Sequence, residues 1–263
     1  MNRAFWVLAL AGEVMLAPAF AASAAPAVPP AAAVLTLMER VADWQLANIP
    51  ADRPRDGWVQ AAGYTGMMAL SGISRNPRYD QAMMKMGADN QWKPAGRVYH
   101  ADDHCVIQTY LELNTRHPDP KMLAPAIERF DAILATPTPT GREFTAPDRL
   151  INWWWCDALF MGPPAWIGLW RATGKQAYLD FAVQHWWETS DFLYDKEEHL
   201  YFRDATYFTK REANGKKIFW SRGNGWVFAG LARVLQALPD NHPARARFEQ
   251  QFREMAAKIV SVQ

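Results

Sequence analysis

WWCDALFMGPPAWIGLWRATGKQAYLDFAVQHWWETSDF, from Trp154 to Phe192, decides the fold. Apolar residues recur every three or four positions over Trp154–Ala172 and again over Gln176–Phe192, the spacing of two amphipathic helices. Thr173-Gly174-Lys175 between them is too short for anything but a turn, so the two helices form a hairpin. Pro163-Pro164 should kink or split the first helix, because an interior proline removes a backbone donor and clashes with the preceding turn.

The same pattern extends in both directions. Val34–Ile49, Trp58–Ile73, Tyr79–Trp92, Asp103–Thr115, Lys121–Ala135, Gly225–Leu238 and Ala244–Val262 all show helical spacing. Arg75-Asn76-Pro77, Arg116-His117-Pro118 and Asn241-His242-Pro243 join them, with proline where helices stop and start. Intervals are irregular, which excludes a strict solenoid repeat. Successive helical hairpins predict an all-α toroid of paired helices. One region departs from it: Leu200–Phe202 and Lys217–Trp220 are β-prone and flank Asn214-Gly215, predicting a small β-hairpin near 200–220.

The 263 residues carry 28 basic and 27 acidic side chains. Near-neutral charge without a Lys/Arg cluster argues against a nucleic-acid partner. At the N-terminus, Arg3 precedes an apolar run that ends in A-x-A-like sites at Ala19–Ala24, although Glu13 interrupts it. Residues 1–24 are therefore expected to be a secretory signal peptide, with export to the periplasm or medium and no membrane association after cleavage. Residues 25–33 read as an Ala/Pro-rich lead-in, and 34–263 as one domain. Cys105 and Cys156 cannot make a disulfide framework; one bond between them in an oxidising compartment is open, and two buried thiols are the favoured reading. No Cys/His spacing suggests a metal site, and no glycine-rich phosphate loop occurs.

Three stretches concentrate chemistry among aromatics. Asp157 lies between a tryptophan run and Leu159-Phe160-Met161. Lost hydration there raises a carboxyl pKa, as a general acid requires, although a helix carboxylate satisfied by an amide or arginine has the same sequence. Asp102-Asp103 opens a helix, where acids cap and oppose the dipole; one of the two could instead face a cavity. In Trp220-Ser221-Arg222-Gly223-Asn224-Gly225-Trp226, glycines permit an unusual backbone path or close approach. Arg222 offers a fork for a carboxylate between two flat walls. That combination suits an acidic sugar, and also a tight turn before a helix.

At WWWCDALFMGPP, EEHLYFRD and WSRGNGW the chain resembles glycoside hydrolase family 105, related to family 88: the unsaturated rhamnogalacturonyl and glucuronyl hydrolases. The resemblance covers most of Val34–Gln263. It implies an (α/α)6 barrel of six helical hairpins, here incomplete at the C-terminus, because about nine helices are countable where the barrel needs twelve. It also implies removal of a terminal 4,5-unsaturated uronic acid from lyase-generated oligosaccharides, foremost rhamnogalacturonan, by hydration of the vinyl ether. Neither metal nor organic cofactor is implied. Asp157 matches the family's general acid/base and Asp102 its second acidic position, with Asp103 the alternative. Trp155, Met161, His199, Trp220, Arg222, Trp226 and, more loosely, Tyr64 match the sugar pocket. Two other readings compete: a non-catalytic fragment that at most binds carbohydrate, and a lyase or saturated-sugar hydrolase on the same toroid.

Overall fold

The computed structural model describes residues 28–50, 52–136 and 153–263. The expected signal peptide, the first three residues of the lead-in, and Ile151-Asn152 of the aromatic motif lie outside them. Ten α-helices are described: α1 (Ala31–Ala47), α2 (Trp58–Ile73), α3 (Arg78–Asp89), α4 (Ala101–Arg116), α5 (Ala124–Leu134), α6 (Ala158–Met161), α7 (Pro163–Thr173), α8 (Gln176–Leu193), α9 (Ser221–Ala237) and α10 (Arg245–Ser261). Helix α1 begins inside the stretch expected to be a lead-in, with Pro30 just before it. Among the described residues no helix is long and apolar enough to cross a membrane.

The helices form a paired array. α2, α4, α7 and α9 pack successively on one another, while α1, α3, α8 and α10 back them from outside. The paired-helix reading thus holds. Pro163-Pro164 splits the tryptophan-bearing helix as expected: α6 ends at Met161, Gly162 intervenes, and α7 restarts on the prolines.

The tryptophans mostly build the core. Trp166 is fully buried between Phe130 and Phe181, with ring centroids 3.8 Å and 3.9 Å away. Its indole N–H donates to His104 Nδ1 (3.3 Å), and His104 Nε2 donates to the Val98 carbonyl (2.9 Å). This arrangement requires a neutral imidazole, and burial pushes its pKa down to about 4. α1 is the least covered helix, with Leu37, Val41 and Trp44 exposed.

Two local expectations are corrected. Leu200–Tyr201 pairs antiparallel with Tyr194–Asp195, not with Lys217–Trp220. Asp195 Oδ1 accepts from the N–H groups of Glu197 and Glu198, closing a tight turn that leaves His199 at φ 53°. Asn214-Gly215 does make a turn, with Gly215 at φ 80°, but it closes only the isolated Arg211–Lys217 bridge.

The second correction concerns α9, which starts at Ser221, so Arg222, Gly223 and Asn224 occupy its first turn. The glycines there adopt no unusual path. Gly223 is small for packing: a Cβ would lie 2.3 Å from the Trp220 ring and 2.7 Å from Cys156 Sγ. About two turns further on, Gly230 meets the Leu159 carbonyl, which a Cβ would approach to 2.5 Å.

Candidate active site

Asp157 immediately precedes α6, and its carbonyl accepts the Phe160 N–H (3.0 Å). Its chain neighbours Trp155, Cys156 and the residues of α6 are all buried. Burial pushes its carboxyl up to about 7, and the negative charge of Asp102 adds to the rise. Arg203 and Arg222 pull in the opposite direction without cancelling it.

Asp102 arrives from the first turn of α4. That helix is fixed against α6 by Gln108 Nε2, which donates to the Phe160 carbonyl (2.8 Å). Its side chain is 14 % exposed, and Oδ1 is buried with no hydrogen-bond partner among the described residues. Burial outweighs the pull of Arg97 and raises the carboxyl to about 6. His100 Nδ1 accepts the Asp102 backbone N–H (3.3 Å), so that nitrogen carries no proton, and burial holds its pKa down to about 4. The His100 ring lies against Trp155, centroids 4.7 Å apart.

The adjacent acid faces elsewhere. Asp103 accepts from the Arg97 backbone (2.6 Å), Nε (3.0 Å) and Nη2 (2.6 Å), a forked pairing that occupies both its oxygens. Of the two first-turn acids, only Asp102 keeps an oxygen free and adds its charge to Asp157. Asp103 is thus held by Arg97.

The Trp220–Trp226 segment places Arg222 near Asp157, its guanidinium 4.9 Å from the Trp220 ring centroid. Trp226 is partly buried, tilted against Phe160 at 4.8 Å, and its indole N–H has no partner among the described residues. Asn224 is buried and structural. Its amide oxygen accepts the Tyr201 N–H (2.7 Å), and its nitrogen donates to the Tyr201 carbonyl (3.0 Å).

Three other expected sugar contacts are placed differently. Met161 is fully buried in the core, with no surface to offer a ligand. His199 Nδ1 lies 3.2 Å from the Tyr194 hydroxyl, which donates to Glu254 Oε2 (2.7 Å); the left-handed turn aims the ring toward α10. Tyr64 is buried, its hydroxyl has no partner among the described residues, and it lines a cleft of about 670 Å³ between α1 and α2. Arg203, which sequence reasoning passed over, stands beside Asp157 instead; the N–H of Cys156 donates to its carbonyl (3.0 Å). Its place inside EEHLYFRD was the available signal. Both cysteines are free and buried, with burial pushing their thiols far up. Among the described residues no three His, Cys, Asp or Glu side chains cluster as metal ligands.

A family model described as Glycosyl Hydrolase Family 88 matches residues 36–263. The chain belongs to this family. Two similar curated relatives are each named an unsaturated 3S-rhamnoglycuronyl hydrolase. The one from Formosa agariphila is 35 % identical over 86 % of this chain and 63 % of its own length. The one from an Alteromonas species is 30 % identical, over 86 % of this chain and 60 % of its own. The chain thus spans about three fifths of the length of these two curated relatives. Among solved structures, a family 88 glycosyl hydrolase from Bacteroides vulgatus superposes with a TM-score of 0.77 at 30 % identity, covering 88 % of this chain and 68 % of that one. The expected helical barrel architecture is therefore that of family 88.

Proposed function

We propose that the protein is an exported hydrolase that removes a terminal 4,5-unsaturated uronic acid from rhamnose-containing oligosaccharides left by polysaccharide lyases. The observation that carries this reading is the pair Asp157 and Asp102, two partly buried carboxyls raised to about 7 and about 6. A carboxylic acid that stays protonated near neutral pH can protonate an electron-rich double bond. Rhamnose is common to the names of the 3S-rhamnoglycuronyl relatives and of a more distant unsaturated rhamnogalacturonyl hydrolase from Bacillus subtilis.

In this mechanism Asp157 gives its proton to C4 of the vinyl ether, and positive charge develops at C5 and the ring oxygen. Water adds at C5 and returns a proton to Asp157. The hemiketal then opens the ring, leaving at C1 a hemiacetal that expels the next sugar. Asp102, by its charge, keeps Asp157 protonated in the resting state. Arg222 takes the uronate carboxylate, with Trp220 beneath it.

A second reading, carbohydrate binding without turnover, is favoured by the open face of α1, because catalysis needs groups held rigidly. One assay separates the two. The conjugated double bond absorbs in the ultraviolet, so hydration by purified protein consumes that absorbance. Loss that vanishes in Asp157→Asn supports the hydrolase; binding without loss supports the alternative. A gain in absorbance would instead indicate a lyase.

A further inference from the structure

His100 touches both halves of the carboxyl pair. It is the N-cap of α4: its Nδ1 accepts the Asp102 N–H at 3.3 Å and lies 3.5 Å from Asp102 Oδ2. Its ring packs on Trp155, with centroids 4.7 Å apart and planes tilted by 44°. Trp155 in turn opens the bend that holds Asp157, because its carbonyl accepts the Ala158 N–H (3.3 Å). One imidazole therefore spans from the helix that carries Asp102 to the bend that carries Asp157. Only 11 % of that side chain is exposed.

Capping alone does not explain a histidine here. Asn, Asp, Ser and Thr are the strong N-caps, and none of them carries a ring that reaches an indole. Aspartate would also set a third carboxylate beside Asp102 and Asp103 in the first turn. The imidazole is neutral, since burial holds its pKa down to about 4, so it caps without charge and fills the gap with its ring. The other charged groups acting on the pair are Arg97 and Asp103 on Asp102, and Arg203 and Arg222 on Asp157. Burial is the largest cause of the rise in both carboxyls, so a void beside Trp155 that admits water would lower both.

We infer that His100 is a positioning residue for the reaction: its ring, packed between the start of α4 and Trp155, holds Asp102 and Asp157 together in one water-poor pocket. The inference rests on the hydrolase reading above, but the placement of the pair has a readout that needs no substrate.

The test separates the ring from the cap. His100→Asn keeps a strong cap and loses the ring, whereas His100→Phe keeps a ring and loses the acceptor. Carbon-13 NMR of labelled aspartate follows the titration of the pair, with Asp157→Asn and Asp102→Asn to assign the signals. Loss of ultraviolet absorbance gives the pH–rate profile. In His100→Asn the upper of the pair's two midpoints should fall by about one pH unit, within the range by which burial and a neighbouring charge shift a carboxyl. The alkaline limb of turnover should move down with it, and turnover at its own optimum should drop by about tenfold or more, as small displacements of catalytic groups do. Melting should stay near that of the parent. His100→Phe should melt lower, having lost the cap, yet keep the parent's midpoints and alkaline limb. Parental midpoints in His100→Asn, or equal shifts in both variants, would leave His100 an ordinary cap and overturn the inference. A parent protein that titrates as expected but consumes no absorbance overturns the hydrolase reading instead, while the fall in His100→Asn still supports the placement of the pair.

Discussion

The side-chain amide of Asn224 grips both backbone groups of Tyr201, accepting its N–H at 2.7 Å and donating to its carbonyl at 3.0 Å. A third bond, to the Trp220 carbonyl (3.1 Å), closes the first turn of α9 on itself. One buried side chain therefore fixes the hairpin to α9, and with them Arg203 and Arg222.

Asn224→Ala should cost about 2 to 3 kcal/mol in urea unfolding, because it leaves buried backbone groups of Tyr201 without partners. Asn224→Asp keeps the acceptor but removes both donors, so it should recover only part of that loss. If the clamp also sets the arginines, Asn224→Ala should raise KM for acidic oligosaccharides in conditions where the protein stays folded.

Asp157→Asn should lower turnover by about two to four orders of magnitude, the range that positioned acid–base catalysis contributes. Binding of the unsaturated oligosaccharide should survive, since Arg222 and Trp220 are untouched. Normal turnover in this variant would refute the assignment of Asp157 as proton donor.

The pH dependence follows from the pair. Asp157 must be protonated to act, so the rate should fall as pH rises through about 7. Asp102→Asn removes the neighbouring negative charge, and the alkaline limb should move to lower pH. Stability has the same sign. Both carboxyls have folded pKa values above the ordinary 3.8. Their stabilising contribution is complete below that value and is lost as pH rises through about 6 and 7. Asp157→Asn should therefore melt higher than the parent protein at pH values above about 7, a comparison that calorimetry makes directly.

The helices were legible because periodicity and proline punctuation report burial on one face. α2 and the split at Pro163-Pro164 came out as read. The start of α9 did not, because glycine has two uses and sequence cannot tell them apart: Gly223 serves close packing on Cys156, not a turn. The hairpin partner was missed for a related reason. Asp195 closes its turn through side-chain bonds to the backbone, which carry less signal than Asn-Gly. Within the site, Asp157 was visible from its apolar company. The choice between Asp102 and Asp103 was not, since it depends on where Arg97 reaches. Arg203 sits in a loop without periodicity, and only the Cys156 N–H bond shows what it stands beside.

Gly230→Ala tests how tightly the site depends on helix packing. Gly230 lies in α9 against the backbone of α6, and an added methyl would sit 2.5 Å from the Leu159 carbonyl and 3.2 Å from Phe160 Cα. Backbone atoms cannot rotate aside as a side chain can, so α6 or α9 must shift. Overpacking of this kind costs about 1 to 3 kcal/mol. The larger effect should be functional, because Leu159 is only two residues from Asp157, and α9 carries Arg222. Turnover should drop more than tenfold, since displacements of about 1 Å weaken catalysis by such factors. Thermal melting should show a modest loss, leaving most of the protein folded at the assay temperature. Gly225→Ala is the matched control: it lies in the same first turns of α9, and a Cβ there meets nothing within 4 Å. If both variants lose activity equally, the effect belongs to helix α9 in general. Loss confined to Gly230→Ala would identify the α6–α9 contact as what holds Asp157 in place.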